Sequence, residues 1–193
     1  MKTGSAGSTR SRGVDRASCS GLRSPSFLMR RTQQAEGLNG PLHMRFALPD
    51  DPDLDAFVSG NEEVDAYFRA RQWFNVAKGV SAPPTYQFLT ERDGDVVGYA
   101  SVAFRRSDHP FDGSDKRALY LLIYVIGIHK RFQGQRNARG SNESYAASMI
   151  RMLANLASGR DDCVGLGLWV REDNARAIAF YQKVGFEPDP GGA

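Results

Sequence analysis

Two segments of this sequence combine residue types that could bind a phosphorylated ligand and assist a reaction on it. Residues 129–141 read His-Lys-Arg-Phe-Gln-Gly-Gln-Arg-Asn-Ala-Arg-Gly-Ser, a mixture of cations and glycines. Residues 168–186 carry Asn174 and Tyr181 ahead of a Gly-Phe pair. Glycine lets a ligand approach the backbone, cations attract phosphate, and a phenol can donate a proton. Both segments directly follow apolar runs, so we expect their side chains near the ends of strands.

The first segment has the composition of a phosphate-binding loop. A loop that enters a helix offers free backbone N–H groups and the positive end of the helix dipole. Gly134 and Gly140 would allow a close approach, and four cations surround them. Taken alone, a basic loop with glycines is more often a solvated connection than a binding site.

The elements that must position these segments follow from the apolar pattern. Tyr120 to Ile128 is a continuous apolar run, typical of a central strand covered on both faces. A helix is predicted over residues 142–158, a strand over 164–170 and a last helix over 174–184. This order favours a right-handed parallel crossover. Gly127 within the first strand indicates a bulge or a close approach to the backbone.

The front half of the chain predicts an antiparallel hairpin and a helix. Asn61 can cap a helix over residues 62–77, and residues 44–48 form a short strand. Strands over 85–91 and 96–105 flank the turn signal Asp93-Gly94. With the parallel crossover, the result is a mixed sheet in an α/β domain.

Length and composition indicate one globular domain. The 193 residues are 41% hydrophobic and 24% charged, and no apolar run approaches the roughly 18 residues that cross a bilayer. Cys19 and Cys163 lie far apart in the sequence, which favours two unrelated thiols in a reducing cytosol over a disulfide or a zinc site. We therefore expect a cytoplasmic protein without a metal.

Residues 1–43 differ from the rest in charge, with seven Lys and Arg against two acids, whereas residues 44–193 are slightly acidic. The segment lacks periodicity and cannot bury enough apolar surface to offset its chain entropy. We predict disorder over residues 1–43 and a domain over 44–193. The segment is then an over-extended start upstream of Met44 or Met29, or a basic tail for RNA or an acidic partner. A transit peptide is the less favoured third alternative.

The second segment resembles the GNAT superfamily of N-acetyltransferases. The family pattern there is an apolar strand, an acidic residue, Asn, Arg-Ala, an apolar pair, Tyr and a closing Gly-Phe. This sequence carries in those places Asp173, Asn174, Arg176, Ala177, Ile178, Phe180, Tyr181, Gly185 and Phe186. Phe132, Gln133 and Gly134 match the start of the family's pyrophosphate loop. The resemblance covers most of the chain after Met44 in element order, and these two segments in detail.

The resemblance implies a fold and a donor site. The fold is α/β, a mixed and mostly antiparallel sheet with a parallel, splayed strand pair and flanking helices. Acetyl-CoA is the implied acyl donor, with its pantetheine arm beside Ile126 and Ile128 and bonded by Asn174. Tyr181 is the implied general acid toward the leaving thiolate. The implied phosphate-loop residues are Gln133, Gly134, Gln135, Arg136, Ala138, Gly140 and Ser141.

Tyr181 and Asn174 also have plain structural interpretations. Tyr181 shares the inward stripe of its helix with core residues, and Asn174 can simply cap that helix. The family match favours catalysis for Tyr181, and Asn174 can serve both purposes. No general base is identified: His129, Glu91 and Glu172 are the candidates, and each suits an exposed loop position equally well.

The sequence departs from the family pattern in two places. Arg136 stands where the phosphate loop has its central glycine, unless the loop is lengthened and Gly140-Ser141 turns into the helix. The family's final strand is also missing after Phe186. That absence would leave a sheet edge open, and a homodimer or another partner chain could cover it.

The acceptor is an amine of unspecified class. Phe57 to Asn61, Val64 to Arg69, Thr85-Tyr86 and Val96 to Tyr99 resemble the front half of acetyltransferase toxins from toxin–antitoxin pairs, which act on aminoacyl-tRNA. An α-amino group has a pKa of about 7.7–8 and reacts without a strong base, unlike lysine near 10.4. Transfer RNA also needs clustered positive charge. The candidate cations for such a cluster are Arg69, Arg71, Lys78, Arg105, Arg106 and Arg117.

The default acceptor is therefore the amine of a small molecule or peptide. A tRNA substrate with an antitoxin partner is the first alternative. A CoA-binding module without turnover is the second.

Overall fold

A seven-stranded sheet with helices on both faces is the centre of the part of the chain that the structure describes. The computed structural model describes residues 26–30, 42–106, 118–136 and 143–188. The strands among them are β1 (Ser26–Arg30), β2 (Leu42–Phe46), β3 (Phe74–Asn75), β4 (Val80–Ser81), β5 (Thr85–Thr90), β6 (Val96–Arg106), β7 (Leu119–Ile128), β8 (Cys163–Trp169) and β9 (Glu187–Pro188). The α-helices are α1 (Glu62–Arg69), α2 (Tyr145–Ser158) and α3 (Ala175–Lys183).

The main sheet has seven strands in the order β2-β5-β6-β7-β8-β1-β9. β7 and β8 run parallel, and the other neighbours pair antiparallel. Strands β3 and β4 form a separate hairpin. The predicted fold, a mixed and mostly antiparallel sheet with one parallel pair and flanking helices, is confirmed.

Each face of the sheet has its own apolar core. On one face α2 buries Met149, Ile150 and Leu153 against the central strands, and α3 packs into the same cluster. On the other face Phe57, Phe68 and other aromatic side chains surround Tyr99, with the ring centroids of Phe57 and Tyr99 5.1 Å apart. Burial of each such side chain is worth about 1.5–3 kcal/mol. None of the described helices has the length and apolar character to cross a membrane.

β7 extends beyond β8 at the carboxyl ends of the two strands. Their ladder runs from Leu119↔Cys163 to Ile123↔Leu168, yet β7 continues to Ile128 alongside β6. The register of β7 against β6 shifts at Tyr124, where Ser101 opposes Val125 and Val102 opposes Ile123. A bulge of this kind bends one strand away from its neighbour. The bulge therefore begins where the parallel pairing stops.

Gly127 does not form this bulge, so the first explanation offered for it is wrong. The bulge lies at Tyr124, and the close approach at Gly127 comes from the protein itself. A Cβ on Gly127 would lie 2.7 Å from Val64 Cγ1 and 3.0 Å from Phe57 Cζ. The glycine is required because α1 and the segment before it pack directly on this part of β7.

The prediction that residues 1–43 are a disordered tail is wrong for Ser26–Arg30, which form β1. These residues pair with the last five residues of β8, from Ser26↔Trp169 to Arg30↔Gly165, and Phe27 is buried. They also cover the sheet edge that was predicted to stay open, and β9 pairs on their far side. The local pattern is too short to reveal such a strand, since its partner lies more than a hundred residues away.

Helix α1 is shorter than the predicted span of residues 62–77. It ends at Arg69, and Arg71 takes a left-handed backbone conformation with φ of 51°. Arg71 is held there by a hydrogen bond from its Nε to the Pro49 carbonyl and an ion pair with Asp55 at 2.6 Å. Trp73 is then fully buried. Tertiary contacts thus override the helical periodicity of the sequence.

We expect Gly165→Ala to weaken the attachment of β1 to β8. A Cβ at this position would lie 1.9 Å from the Met29 carbonyl oxygen, a backbone atom that cannot rotate away. Overpacking of this kind costs roughly 1–3 kcal/mol. Urea unfolding would measure the loss of stability, and the rate of tryptic cleavage after Arg30 would measure the release of β1.

Gly167→Ala is the matched control, because it lies in the same strand two residues on. Its Cβ would meet Leu122 Cδ2 at 2.6 Å, the end of a flexible side chain that can move. The control should be less destabilised and should not expose Arg30 to trypsin. Equal cleavage in the two variants would show that β1 is not held on β8 as described.

We expect Gly127→Ala to destabilise the protein by roughly 1–3 kcal/mol through the contact with Val64. Val64→Ala removes the atom that a new Cβ would strike. In a double-mutant cycle measured by denaturant unfolding, the combined variant should therefore lose less stability than the two single losses together. If the two single losses of stability simply add in the double variant, packing of α1 is not the reason for a glycine at position 127.

Candidate functional site

Where β7 continues past the end of β8, one edge of β7 has no neighbouring strand among the described residues. The His129 N–H donates to the Val97 carbonyl at 2.8 Å, so the polar groups of His129 point towards β6. Successive residues of a strand direct their polar groups to opposite sides. The N–H and C=O groups of Ile126 and Ile128 consequently point to the side of β8, which ends at Trp169 and pairs with β7 only as far as Ile123. Of these groups, the Ile128 carbonyl already accepts a hydrogen bond from the Gln133 side chain. This edge can accept an extended ligand as an additional strand-like partner.

The loop after β7 is folded by its own hydrogen bonds. The N–H of Gln133 donates to the Lys130 carbonyl at 3.3 Å, and that of Gln135 donates to the Phe132 carbonyl at 3.2 Å. Gly134 differs: its φ is +72°, and nothing lies within 4 Å of the place where a Cβ would be. Among these three predicted phosphate-loop residues, Gly134 has the open surroundings that a close ligand approach requires.

The side chain of Gln133 holds the loop in place. Its Nε2 donates to the Ser59 carbonyl at 2.6 Å and to the Ile128 carbonyl at 3.1 Å. The Lys130 N–H donates to the Val58 carbonyl at 2.7 Å. These bonds fasten the loop to the segment before α1.

Ser59 and Asp65 complete this attachment and were missed as functional residues in the sequence. Asp65 is 2% exposed and accepts hydrogen bonds from the Ser59 N–H at 2.6 Å and the Ser59 hydroxyl at 2.5 Å. Asn61 caps α1 through Glu63 and Val64, as predicted. A buried carboxylate must be hydrogen-bonded, so its position is fixed. The spacing Ser-x-Asn-x-x-x-Asp around a helix start was the available signal.

The start of α2 provides a second group of polar contacts. Ser144 caps the helix by accepting from the Ala147 N–H at 3.2 Å. Glu143 accepts from Ser148 and forms an ion pair with Arg151 at 2.9 Å. The helix starts at Tyr145, which favours the lengthened form of the loop. Ala138, Gly140 and Ser141 lie outside the described residues, as does the predicted helix start at residue 142.

Asn174 lies at the end of the short loop between β8 and α3 and caps α3. Its Oδ1 accepts from the Ala177 N–H at 3.1 Å, which confirms the capping prediction. Its amide nitrogen bonds no residue in the described ranges. That nitrogen therefore has two donors that can meet a ligand carbonyl.

Tyr181 is partly buried on α3, between the rings of Phe180 and Phe186 at centroid distances of 5.3 and 5.5 Å. Burial raises the pKa of Tyr181 to about 12, because the phenolate loses hydration. Its hydroxyl makes no hydrogen bond within the part of the chain that the structure describes. The side chain is thus a protonated donor at neutral pH.

The structure singles out none of the three candidate bases. Burial lowers the pKa of His129, and the charge of Arg131 adds to this effect. The resulting neutral imidazole uses Nδ1 to accept from the Arg131 N–H at 3.3 Å, which leaves the proton on Nε2. Glu91 and Glu172 are exposed. In the described ranges no group of three His, Cys, Asp or Glu side chains could hold a metal ion.

A cleft of about 560 Å³ runs between α2 and α3, with the start of β8 and the end of β1 as its floor. Four cations line it against one carboxylate, Glu143; they are Arg30, Arg136, Arg151 and Lys183. Its size and charge suit an anionic ligand of nucleotide size. Met29 and Arg30 belong to the segment that the sequence analysis had excluded from the domain.

Comparisons with solved structures show the same fold at low sequence identity. A mutant of the toxin AtaT bound to acetyl-CoA and the C-terminus of the antitoxin AtaR is 18% identical with a TM-score of 0.52; the match covers 79% of this chain and 96% of that one. AtaT complexed with acetyl-methionyl-tRNAfMet is 18% identical with a TM-score of 0.53, covering 75% and 85%. The KacTA–DNA complex is 18% identical with a TM-score of 0.52, covering 78% and 95%.

No curated protein matches the sequence. The profile of the Acetyltransferase (GNAT) family matches residues 47–186, which include α1, the parallel strand pair, the loop after β7 and α3. The chain therefore belongs to the GNAT family and is an acetyl-CoA-dependent N-acetyltransferase.

Proposed function

We propose that this enzyme acetylates the primary amine of a small molecule or peptide, with the acyl donor bound between β7 and β8. The observation that carries the proposal is that β7 continues to Ile128 after the parallel ladder and β8 have ended at Ile123↔Leu168 and Trp169. The backbone of Ile126 and Ile128 would pair with the amides of the pantetheine arm. The free amide nitrogen of Asn174 would bond a pantetheine carbonyl.

Tyr181 is proposed as the general acid. The acceptor amine attacks the thioester carbonyl, the new C–N bond forms and the C–S bond breaks. The thiolate of the leaving group takes the phenol proton of Tyr181, and the amine releases its own proton to solvent, from which the phenolate is reprotonated. A phenol whose pKa is raised to about 12 is protonated before each turnover. General acid catalysis of this type contributes typically 10²–10⁴-fold.

The pyrophosphate of the donor would lie at the loop between β7 and α2. The open surroundings of Gly134 and the positive end of α2 support this placement. We assign Gln133 and Gln135 to positioning the loop rather than to phosphate contact, because their N–H groups are used within it. Arg136 is proposed to contribute charge. Ala138, Gly140 and Ser141 remain predicted contacts.

The hydrogen bonds and ion pairs of the basic side chains support a small or peptidic acceptor. Arg69 donates to the Phe57 carbonyl at 2.9 Å and lies 3.7 Å from Asp65. Arg71 is paired with Asp55, and Arg105 donates to the Tyr124 hydroxyl at 2.9 Å. These cations serve the fold, whereas binding of tRNA needs cations directed at phosphates. Of the other candidates, Lys78 and Arg106 are exposed, and Arg117 lies outside the described residues.

Aminoacyl-tRNA is the second candidate acceptor. The fold shared with AtaT in its complex with acetyl-methionyl-tRNAfMet supports it, and an antitoxin partner would accompany it. Both candidates present an α-amino group, which suits a site without an assigned base. Acetylation of amino acids or dipeptides in the absence of RNA separates the two.

We expect Tyr181→Phe to lower kcat by roughly 10²–10⁴-fold, because the departing thiolate loses its proton donor. The dissociation constant for acetyl-CoA, measured by calorimetry, should change by less than about threefold. Tyr86→Phe is the matched control, since Tyr86 also has a partly buried ring, stacks on Phe46 at 4.7 Å and does not line the cleft. It should keep full activity.

A small effect of Tyr181→Phe on kcat would contradict the general-acid role. Tight acetyl-CoA binding by the native chain, without transfer to any amine, would instead support a CoA-binding module without turnover.

We expect kcat/KM for a dipeptide acceptor to rise with pH and level off above about pH 8. The neutral fraction of an α-amino group increases through its pKa of about 7.7–8. The raised pKa of Tyr181, about 12, keeps the acid protonated, so no decline should follow up to pH 10. For a peptide that offers only a lysine amine, kcat/KM should instead continue to rise towards pH 10. A decline centred below pH 10 would contradict this assignment.

A further inference from the structure

We propose that Trp169 and Tyr124 bind the side chain beside the acceptor amine and select acceptors in which that side chain is aromatic or a large aliphatic group. The inference rests on the proposed acetyl transfer and deepens it, because it names the class of acceptor. Trp169 is 54% exposed and Tyr124 is 42% exposed, and neither belongs to the two apolar cores.

Trp169 points to the face of the sheet that carries α1. It is the last residue of β8, and its neighbours Leu168 and Val170 are buried in the core beneath α2 and α3. Because successive side chains of a strand point to opposite faces, the indole lies on the other side of the sheet. In the described ranges it packs against no other aromatic ring, so its faces are open to a ligand.

Tyr124 lies on the same face, beside α1. Its hydroxyl accepts a hydrogen bond from Arg105 Nε at 2.9 Å. Arg105 points away from the core into which Phe104, the residue before it, packs. Burial raises the pKa of Tyr67 on α1, and the nearby Tyr124 raises it further. Tyr124 is thus held by Arg105 and lies close to the helix on this side of the sheet.

The two rings adjoin each other at the inner end of the proposed donor site. The parallel ladder ends with Ile123↔Leu168, and Tyr124 and Trp169 are the next residues of the two strands. Neighbouring strands lie about 4.8 Å apart, so both side chains are within reach of one bound group. Exposed apolar side chains that adjoin one another often mark a binding surface.

The acceptor amine approaches the thioester from the α1 side. Tyr181 packs into the core beneath α2 and α3, so the proposed leaving group lies on that face. The opposite face of the thioester carbonyl is then left to the amine. α1 reaches the same space, because Glu63 lies 3.7 Å from Arg171, two residues after Trp169. The group attached to the amine carbon consequently meets Trp169 and Tyr124.

The two rings favour an apolar substituent on the acceptor. A side chain that lies against an indole and a phenol removes apolar surface of both partners from water, and an aromatic side chain also gains from ring contacts. A glycine at the amino end of the acceptor offers no such surface. Acceptors with a large apolar first residue should therefore react more efficiently than acceptors that begin with glycine.

The test measures kcat/KM for the dipeptides Phe-Gly, Leu-Gly and Gly-Gly with saturating acetyl-CoA, expressed per neutral amine. The native chain should prefer Phe-Gly and Leu-Gly over Gly-Gly by roughly 10- to 100-fold. Trp169→Ala should raise KM for Phe-Gly and lose most of this preference, while kcat/KM for Gly-Gly and the dissociation constant for acetyl-CoA stay unchanged. Trp169→Phe and Tyr124→Phe should retain part of the preference, because each keeps a ring.

Phe46→Ala is the matched control, because Phe46 is a 59% exposed aromatic residue of β2, at the other edge of the sheet. It should keep the full preference. A native chain that acetylates all three dipeptides equally would overturn this inference alone. An equal loss for all three dipeptides in Trp169→Ala would also overturn it, since that would indicate damage to the site rather than loss of selection. Native protein that binds acetyl-CoA and acetylates no dipeptide would overturn the proposed function as well.

Discussion

The proposed donor site depends on the part of β7 that extends beyond the end of β8. Parallel strands normally satisfy each other's backbone groups, and here the ladder stops at Ile123↔Leu168. The bulge at Tyr124 allows β7 to follow β6 instead, and α1 packs against the bent part at Gly127. Backbone groups left without a strand partner must meet water or a ligand. The acyl donor is the ligand that this opening suits.

The front half of the chain supports this opening through a buried polar contact. Asp65, at the start of α1, holds Ser59, and the Ser59 carbonyl holds Gln133 of the loop after β7. The helix that packs on β7 therefore also fixes the loop that would receive the pyrophosphate. Through this link, residues of the front half help to position the loop. The toxin-like motif in the front half of the chain therefore has a structural role that does not depend on which acceptor the enzyme uses.

The sequence predicted the elements near the site well and the distant pairings poorly. The strands around Ile128 and the helix with Tyr181 were found because each has a strong local pattern. The cap at Asn174 was found for the same reason. The span of α1 was overestimated, because the contacts of Arg71 end the helix against its own periodicity. β1 was missed, since its five residues gain their stability from pairing with β8.

The sequence by itself determined the fold class, the family and the residue types that would handle acetyl-CoA, because strand periodicity, helix caps and the segment around Tyr181 are local features. Only the tertiary structure decided how the sheet is completed, why Gly127 and Gly165 are glycines and which loop amides stay open. It also brought Tyr124 and Trp169 together at the end of the parallel ladder. The physical reason is that hydrogen-bond partners and close packing are set by residues distant in the chain. No local pattern contains that information.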